Sequence, residues 1–135
     1  MPGKRVLFVC VGNACRSPMA EGYAKYFAKA MKKELHVESR GVDSASHVTI
    51  TSVEAMREEG IDISSHVPRQ FEDRDIDRFD AIVTMGPEVA CINTTLNDKK
   101  VVYWDIPDPV GQGSDVYRNV RDLIKRMTME LVKSL

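Results

Sequence analysis

The chain has 135 residues, of which 43% are hydrophobic and 29% charged, with a formal net charge of −1. That length suits one folded domain over 1–135, and the near-zero charge supplies no general pull toward nucleic acid or anionic membrane. No apolar run reaches the length of a membrane span or a signal sequence, so a cytoplasmic chain is expected. Three cysteines, an odd number with no CxxC pair and no His/Cys cluster at zinc spacing, point to free thiols; no metal and no cofactor is expected.

Arg5 to Cys10 reads as a short buried strand. Ser17 to about Lys32 reads as a helix, with Ser17 as candidate N-cap and Pro18 at its first position. Met19, Tyr23, Tyr26, Phe27 and Ala30 form its core stripe. Leu35 to Val42 is a second strand, and Thr49 to Glu59 a helix closed by Gly60. Ser64 to Asp77 is a polar connection with short helical turns. Ala81 to Met85 is a third strand, ended by Gly86. Pro87 opens a helix to about Leu96, and Val101 to Trp104 is a fourth strand. A loop follows from Asp105 to Gly113. Ser114 opens the last helix, with Val116, Val120, Leu123, Met127 and Leu131 on its inner side. Strands alternating with helices imply an α/β fold, a four-stranded parallel sheet between helical layers in a three-layer αβα sandwich. Ligands of such sheets bind at the carboxyl ends of the strands. The loops after the first and fourth strands therefore open on one edge.

The run Val9-Cys10-Val11-Gly12-Asn13-Ala14-Cys15-Arg16-Ser17-Pro18 places a thiol and a guanidinium around five residues. From Val11 to Ser17 there is no proline, so every residue keeps its N–H donor. Gly12 is suited to a positive φ, and Asn13 tolerates left-handed backbone and ties loops through its side chain. The loop enters a helix N-terminus, where free amides favour an anion, and Arg16 adds a planar fork for two oxygens. The same field favours the thiolate of Cys10, and so a nucleophile. A cysteine that merely ended a buried strand would need none of these neighbours.

This segment resembles the signature of the low-molecular-weight protein tyrosine phosphatases, whose fold is shared with the thioredoxin-coupled arsenate reductases. Ser39-Arg40-Gly41-Val42, the stretch from Ser65 to Gln70 with Phe79-Asp80, and Asp108-Pro109 resemble further segments of that family, in the same order. The resemblance implies a phosphotyrosine protein phosphatase I-like fold and hydrolysis of phosphomonoesters through a phosphocysteine. Cys10 would be the nucleophile and Asp108 the general acid and base. Arg16 and the amides of Val11, Gly12, Asn13, Ala14, Cys15 and Ser17 would hold the oxyanion. Asn13, Ser17, Ser39 and His66 would form the scaffold of the loop. Asp105 is a rival acid. The resemblance also implies that Cys10 and Cys15 pair reversibly under oxidation.

The chain departs from the phosphatase pattern at several points. Val110 and Gly111 stand after Asp108-Pro109, where aromatic residues usually wall the substrate ring. Ala14, small and uncommitted, stands where pocket width is set. The substrate would be a phosphorylated protein or a small phosphomonoester. The alternative is arsenate as substrate, reduced with a thioredoxin or glutaredoxin as partner. That chemistry needs thiols beyond Cys10. Gly86 stands where the reductases carry a cysteine, and Cys91, five residues on, does not match their spacing. A module that only binds oxyanions or phosphoproteins would keep the cradle and need no acid.

Overall fold

A computed structural model describes residues 3–89 and 100–135. Four strands, β1 (Lys4–Cys10), β2 (Leu35–Gly41), β3 (Ala81–Met85) and β4 (Val101–Trp104), form one sheet in the order β2-β1-β3-β4. Every pairing is parallel, with Cys10 level with Gly41 and Met85 level with Trp104. The α/β parallel sheet read from the alternation of elements is the fold observed, with the strand ends within a residue of those expected.

The central strand β1 is buried on both faces, so its sequence is apolar throughout rather than alternating. Val6, Phe8 and Cys10 face a large core with Met19, Tyr23, Phe27, Met56 and Ile124, drawn from α1 (Arg16–Ala30), α2 (Ile50–Arg57) and α3 (Ser114–Ser134). Leu7 and Val9 face the other way, onto Ile82, Phe79 and Val89. Among the described residues, 3-10 turns at Asp73–Arg78 and Pro87–Val89 serve this second face. The rest of the helix expected after Pro87, with Cys91, lies outside the described residues. No helix among them is long and apolar enough to cross a membrane.

Three local expectations need correction. The helix read from Ser17 begins at Arg16, with Cys15 at the cap and Ser17 inside the first turn. The Ser17 hydroxyl is turned to Cys10 and Asn13 instead of capping the helix. On α1, Met19, Tyr23 and Phe27 are buried, but Tyr26 and Ala30 are exposed. On α3 the inner face is Tyr117, Val120, Arg121, Ile124, Thr128 and Val132. Of the expected stripe only Val120 is fully buried; Leu123, Met127 and Leu131 are half-buried and Val116 is exposed. The cause is Arg121, which reaches inward to bond the Ala55 carbonyl and Glu58 of α2. A polar residue on the buried face rotates the stripe by about one position. The two ends of α2 follow expectation. Thr49 caps it through the Ser52 amide, and Gly60, at φ 77°, turns the chain away.

Candidate active site

The segment from Val11 to Cys15 joins the end of β1 to α1, and its carbonyls are taken. Those of Cys10, Val11, Gly12 and Ala14 accept from the amides of Val42, Asp43, Ala45 and Thr49, at 2.8–3.1 Å. The loop's own amides, from Val11 to Cys15, donate to no protein acceptor among the described residues. Beyond them lie the open N–H groups of the first turn of α1. A loop whose carbonyls are bonded away while its amides stay unclaimed is built for an anion. Gly41 makes the close approach possible, because a Cβ there would lie 2.6 Å from the Val11 carbonyl oxygen. The positive φ expected of Gly12 falls instead on Asn13, at 53°.

Asn13 is fully buried, and its carboxamide uses every hydrogen-bonding position. Its Nδ2 donates to the hydroxyls of Ser17 and Ser39, both at 2.8 Å. Its Oδ1 accepts from the Arg69 amide at 2.9 Å and from His66 Nε2 at 3.1 Å. Ser39 passes its own hydrogen to Glu21 Oε1 at 2.5 Å. The Ser17 oxygen already accepts from Asn13, so its hydrogen is free for Cys10 Sγ at 3.0 Å. His66 is lowered from its ordinary 6.5 chiefly by burial, against the pull of Glu21. Its Nε2 faces two acceptors on Asn13 and therefore carries the hydrogen.

Arg16 is 2% exposed. Its Nη1 donates to the Ile106 carbonyl at 2.9 Å, and its Nη2 meets Glu88 Oε1 at 2.8 Å. Asp108 Oδ2 stands 3.9 Å from the same Nη2, while Asp108 Oδ1 accepts from the Val110 amide at 3.0 Å. That turn aims one carboxylate oxygen at the guanidinium. Asp105, the rival acid, lies instead beside the Tyr103 hydroxyl. Cys15 is buried under the loop, and burial pushes its thiol up to about 12 despite a bond from Ser52. It is thus a protonated thiol at neutral pH. No group of three or more potential metal ligands occurs among the described residues.

The structure thus gathers Cys10, Arg16, Asp108, Asn13, Ser17, Ser39 and His66 at one sheet edge. It adds Glu21, Gly41 and Glu88, to which sequence reasoning gave no role. Glu21 lies one helical turn beyond Ser17, a spacing that brings both to one side of α1. For Gly41 and Glu88 only the folded arrangement carries the signal.

Known proteins are similar over nearly the whole chain. The family model for low molecular weight phosphotyrosine protein phosphatase matches residues 5–135. An arsenate reductase of Staphylococcus aureus is 36% identical over 127 residues, 93% of each chain. A glutaredoxin arsenate reductase of Synechocystis is 34% identical over 133 residues, 98% of each. The crystal structure of a low molecular weight protein tyrosine phosphatase from T. tengcongensis superposes with a TM-score of 0.89. It is 29% identical and covers 98% of this chain and 99% of its own. The chain belongs to the low molecular weight phosphotyrosine protein phosphatase family.

Proposed function

We propose that the protein is a phosphomonoester hydrolase working through a phosphocysteine on Cys10. The Cys10 thiolate attacks phosphorus, and the bond to the leaving oxygen breaks as that oxygen takes a proton from Asp108. The amides from Val11 to Ser17 and the Arg16 fork hold the three equatorial oxygens, where charge concentrates in the transition state. Water then attacks phosphorus, gives a proton to the Asp108 carboxylate, and releases inorganic phosphate and the Cys10 thiolate. The Ser17 hydroxyl steadies that thiolate in both steps. Cys15 acts as a redox guard: a Cys10 sulfenic acid condenses with the Cys15 thiol, giving a disulfide and water.

One observation carries the reading. Unclaimed amides surround a thiol held by a hydroxyl, and the Asp108 carboxylate converges with Arg16 on the same edge. A module that only bound oxyanions would leave the placement of Asp108 without a purpose.

Arsenate reduction is the second reading, favoured by curated relatives that are arsenate reductases. The name of the Synechocystis relative adds glutaredoxin as a candidate thiol partner. Gly86 weighs against it. This residue has a φ of 101°, and a Cβ there would lie 2.1 Å from Arg16 Nη1, so the site has no room for a thiol at that place. Cys91 is the remaining candidate. A side-by-side assay of aryl phosphate hydrolysis and of arsenate-dependent oxidation of reduced thioredoxin or glutaredoxin tests the ranking. Phosphate release lost in Cys10→Ser supports the hydrolase. Thiol oxidation driven by arsenate, without phosphatase turnover, overturns it.

A further inference from the structure

We propose that Glu88 is a positioning residue that competes with the bound oxyanion for Arg16 and so weakens the hold on the product phosphate. The inference rests on the hydrolase reading, in which Arg16 binds the oxyanion.

Arg16 is seated on three sides. Gly86 presents bare backbone to the guanidinium, the Ile106 carbonyl takes one hydrogen of Nη1, and Glu88 takes one of Nη2. A guanidinium has five N–H donors, so this seat uses two and leaves three for a ligand. Glu88 thus fixes the plane of the fork without consuming it. Its charge has a second effect. The Arg16 side chain is 2% exposed and that of Glu88 39%, so the carboxylate sits at the solvent side of a buried cation. An oxyanion entering the loop meets a guanidinium already paired with Glu88, with Asp108 Oδ2 3.9 Å away. The Glu88 carboxylate repels the dianion.

Removing one partner of such a pair leaves a buried charge uncompensated, and a ligand that restores the compensation binds more tightly. Glu88→Gln keeps the shape and a hydrogen-bond acceptor while deleting the charge. The expected result is opposite in sign for binding and for turnover. Affinity for inorganic phosphate rises about three- to tenfold, as removing one nearby charge across a partly solvated path implies. Over the same change kcat falls, because the fork is less firmly aimed and product leaves more slowly. Glu88→Asp keeps the charge and lies closer to wild type than to Glu88→Gln. Glu130→Gln, an equal change of net charge on the exposed side of α3, leaves phosphate affinity unchanged.

The experiment is titration of each variant with inorganic phosphate by calorimetry, beside its inhibition constant against aryl phosphate hydrolysis. A purely structural Glu88 predicts weaker phosphate binding in Glu88→Gln. That result, or an unchanged affinity, overturns the proposal while leaving the hydrolase reading intact. Tighter phosphate binding in a protein that hydrolyses no phosphomonoester would uphold Glu88 as the competitor and remove the hydrolase reading instead.

Discussion

Gly86 lies against the guanidinium of Arg16 so closely that any side chain on it would enter the space of Nη1. The two residues are far apart in the chain, one after β3 and one opening α1, and the parallel pairing of β1 with β3 brings them together. Gly86→Ala adds a methyl group that cannot be placed without moving Arg16, and does so at a φ of 101° that alanine resists. A loss of about 10²-fold in kcat/KM is expected from a shift of the fork by about 1 Å. A destabilisation of about 1–3 kcal/mol is expected from the backbone. Steady-state kinetics and urea unfolding measure the two effects separately. Wild-type kinetics in Gly86→Ala would remove Arg16 from the chemistry or the seat from Arg16.

Asn13 is the keystone of the loop. Asn13→Ala strips partners from Ser17, Ser39, His66 and the Arg69 amide together. A loss of about 2–4 kcal/mol is expected, as buried donors and acceptors are left unpaired. Asn13→Gly relieves the φ of 53° but restores none of the bonds. If the network is the main term, glycine and alanine variants are equally unstable. If the backbone is, glycine recovers most of the loss.

In the proposed hydrolysis Asp108, placed 3.9 Å from Arg16, and not Asp105, is the proton donor. Asp108→Asn is expected to slow phosphoryl transfer by about 10²–10⁴-fold for esters with basic leaving groups and far less for acidic phenols. Asp105→Asn leaves this dependence unchanged. A plot of log kcat/KM against leaving-group pKa reads the result directly, and a steeper slope in Asp105→Asn would exchange the roles.

His66 gives the scaffold a pH dependence of known sign. Its folded-state value lies below the ordinary 6.5, because burial disfavours the charged ring. Unfolded chains therefore bind more protons in the window just below 6.5, and stability falls as the pH falls through it. The contribution is complete above about pH 6.5 and lost as the ring protonates in the folded protein. His66→Gln is expected to flatten the stability profile in the window just below pH 6.5. A profile of unchanged slope would mean that the ring stays neutral there or that another group carries the effect.

Cys15 is a poor nucleophile where it sits, since burial holds its thiol protonated. Cys15→Ser should leave phosphate ester hydrolysis near wild type. After a pulse of peroxide, wild-type activity should return on adding a dithiol, whereas that of Cys15→Ser should not. Mass spectrometry of the oxidised protein distinguishes a Cys10–Cys15 disulfide from a sulfinic acid. Equal recovery in both proteins would dismiss Cys15 as a guard.

Much of this architecture is legible in the residue pattern. Strands buried on both faces leave continuous apolar runs, as from Val6 to Val9. The bonds of Ser17 with Cys10 and Asn13 are short-range and belong to a loop whose composition announces it. What stays hidden is what depends on packing between distant segments. The buried face of α3 carries Arg121 and Thr128, so hydrophobic spacing points one position aside. Ser17 has a capping residue's chemistry but spends it on Cys10. Glu88 and Gly41 act only through segments that the sheet register lays beside them, and neither has a local signature. Gly86 stands out in the sequence as a missing thiol, yet its role as the seat of Arg16 emerges only from the fold.

The strand that carries Cys10 has a neighbour on each side and core on each face. Regions that open by local fluctuation are those with few buried contacts, and the amides of a central strand exchange with solvent only on global unfolding. Hydrogen exchange should accordingly divide the site in two. Cys10 is expected in the slowest-exchanging part of the protein, and Asp108, on an exposed loop beyond the edge strand, in a fast one. In the proposed hydrolysis such a division would let Asp108 adjust to successive leaving groups while the Cys10 thiol stays where the sheet holds it.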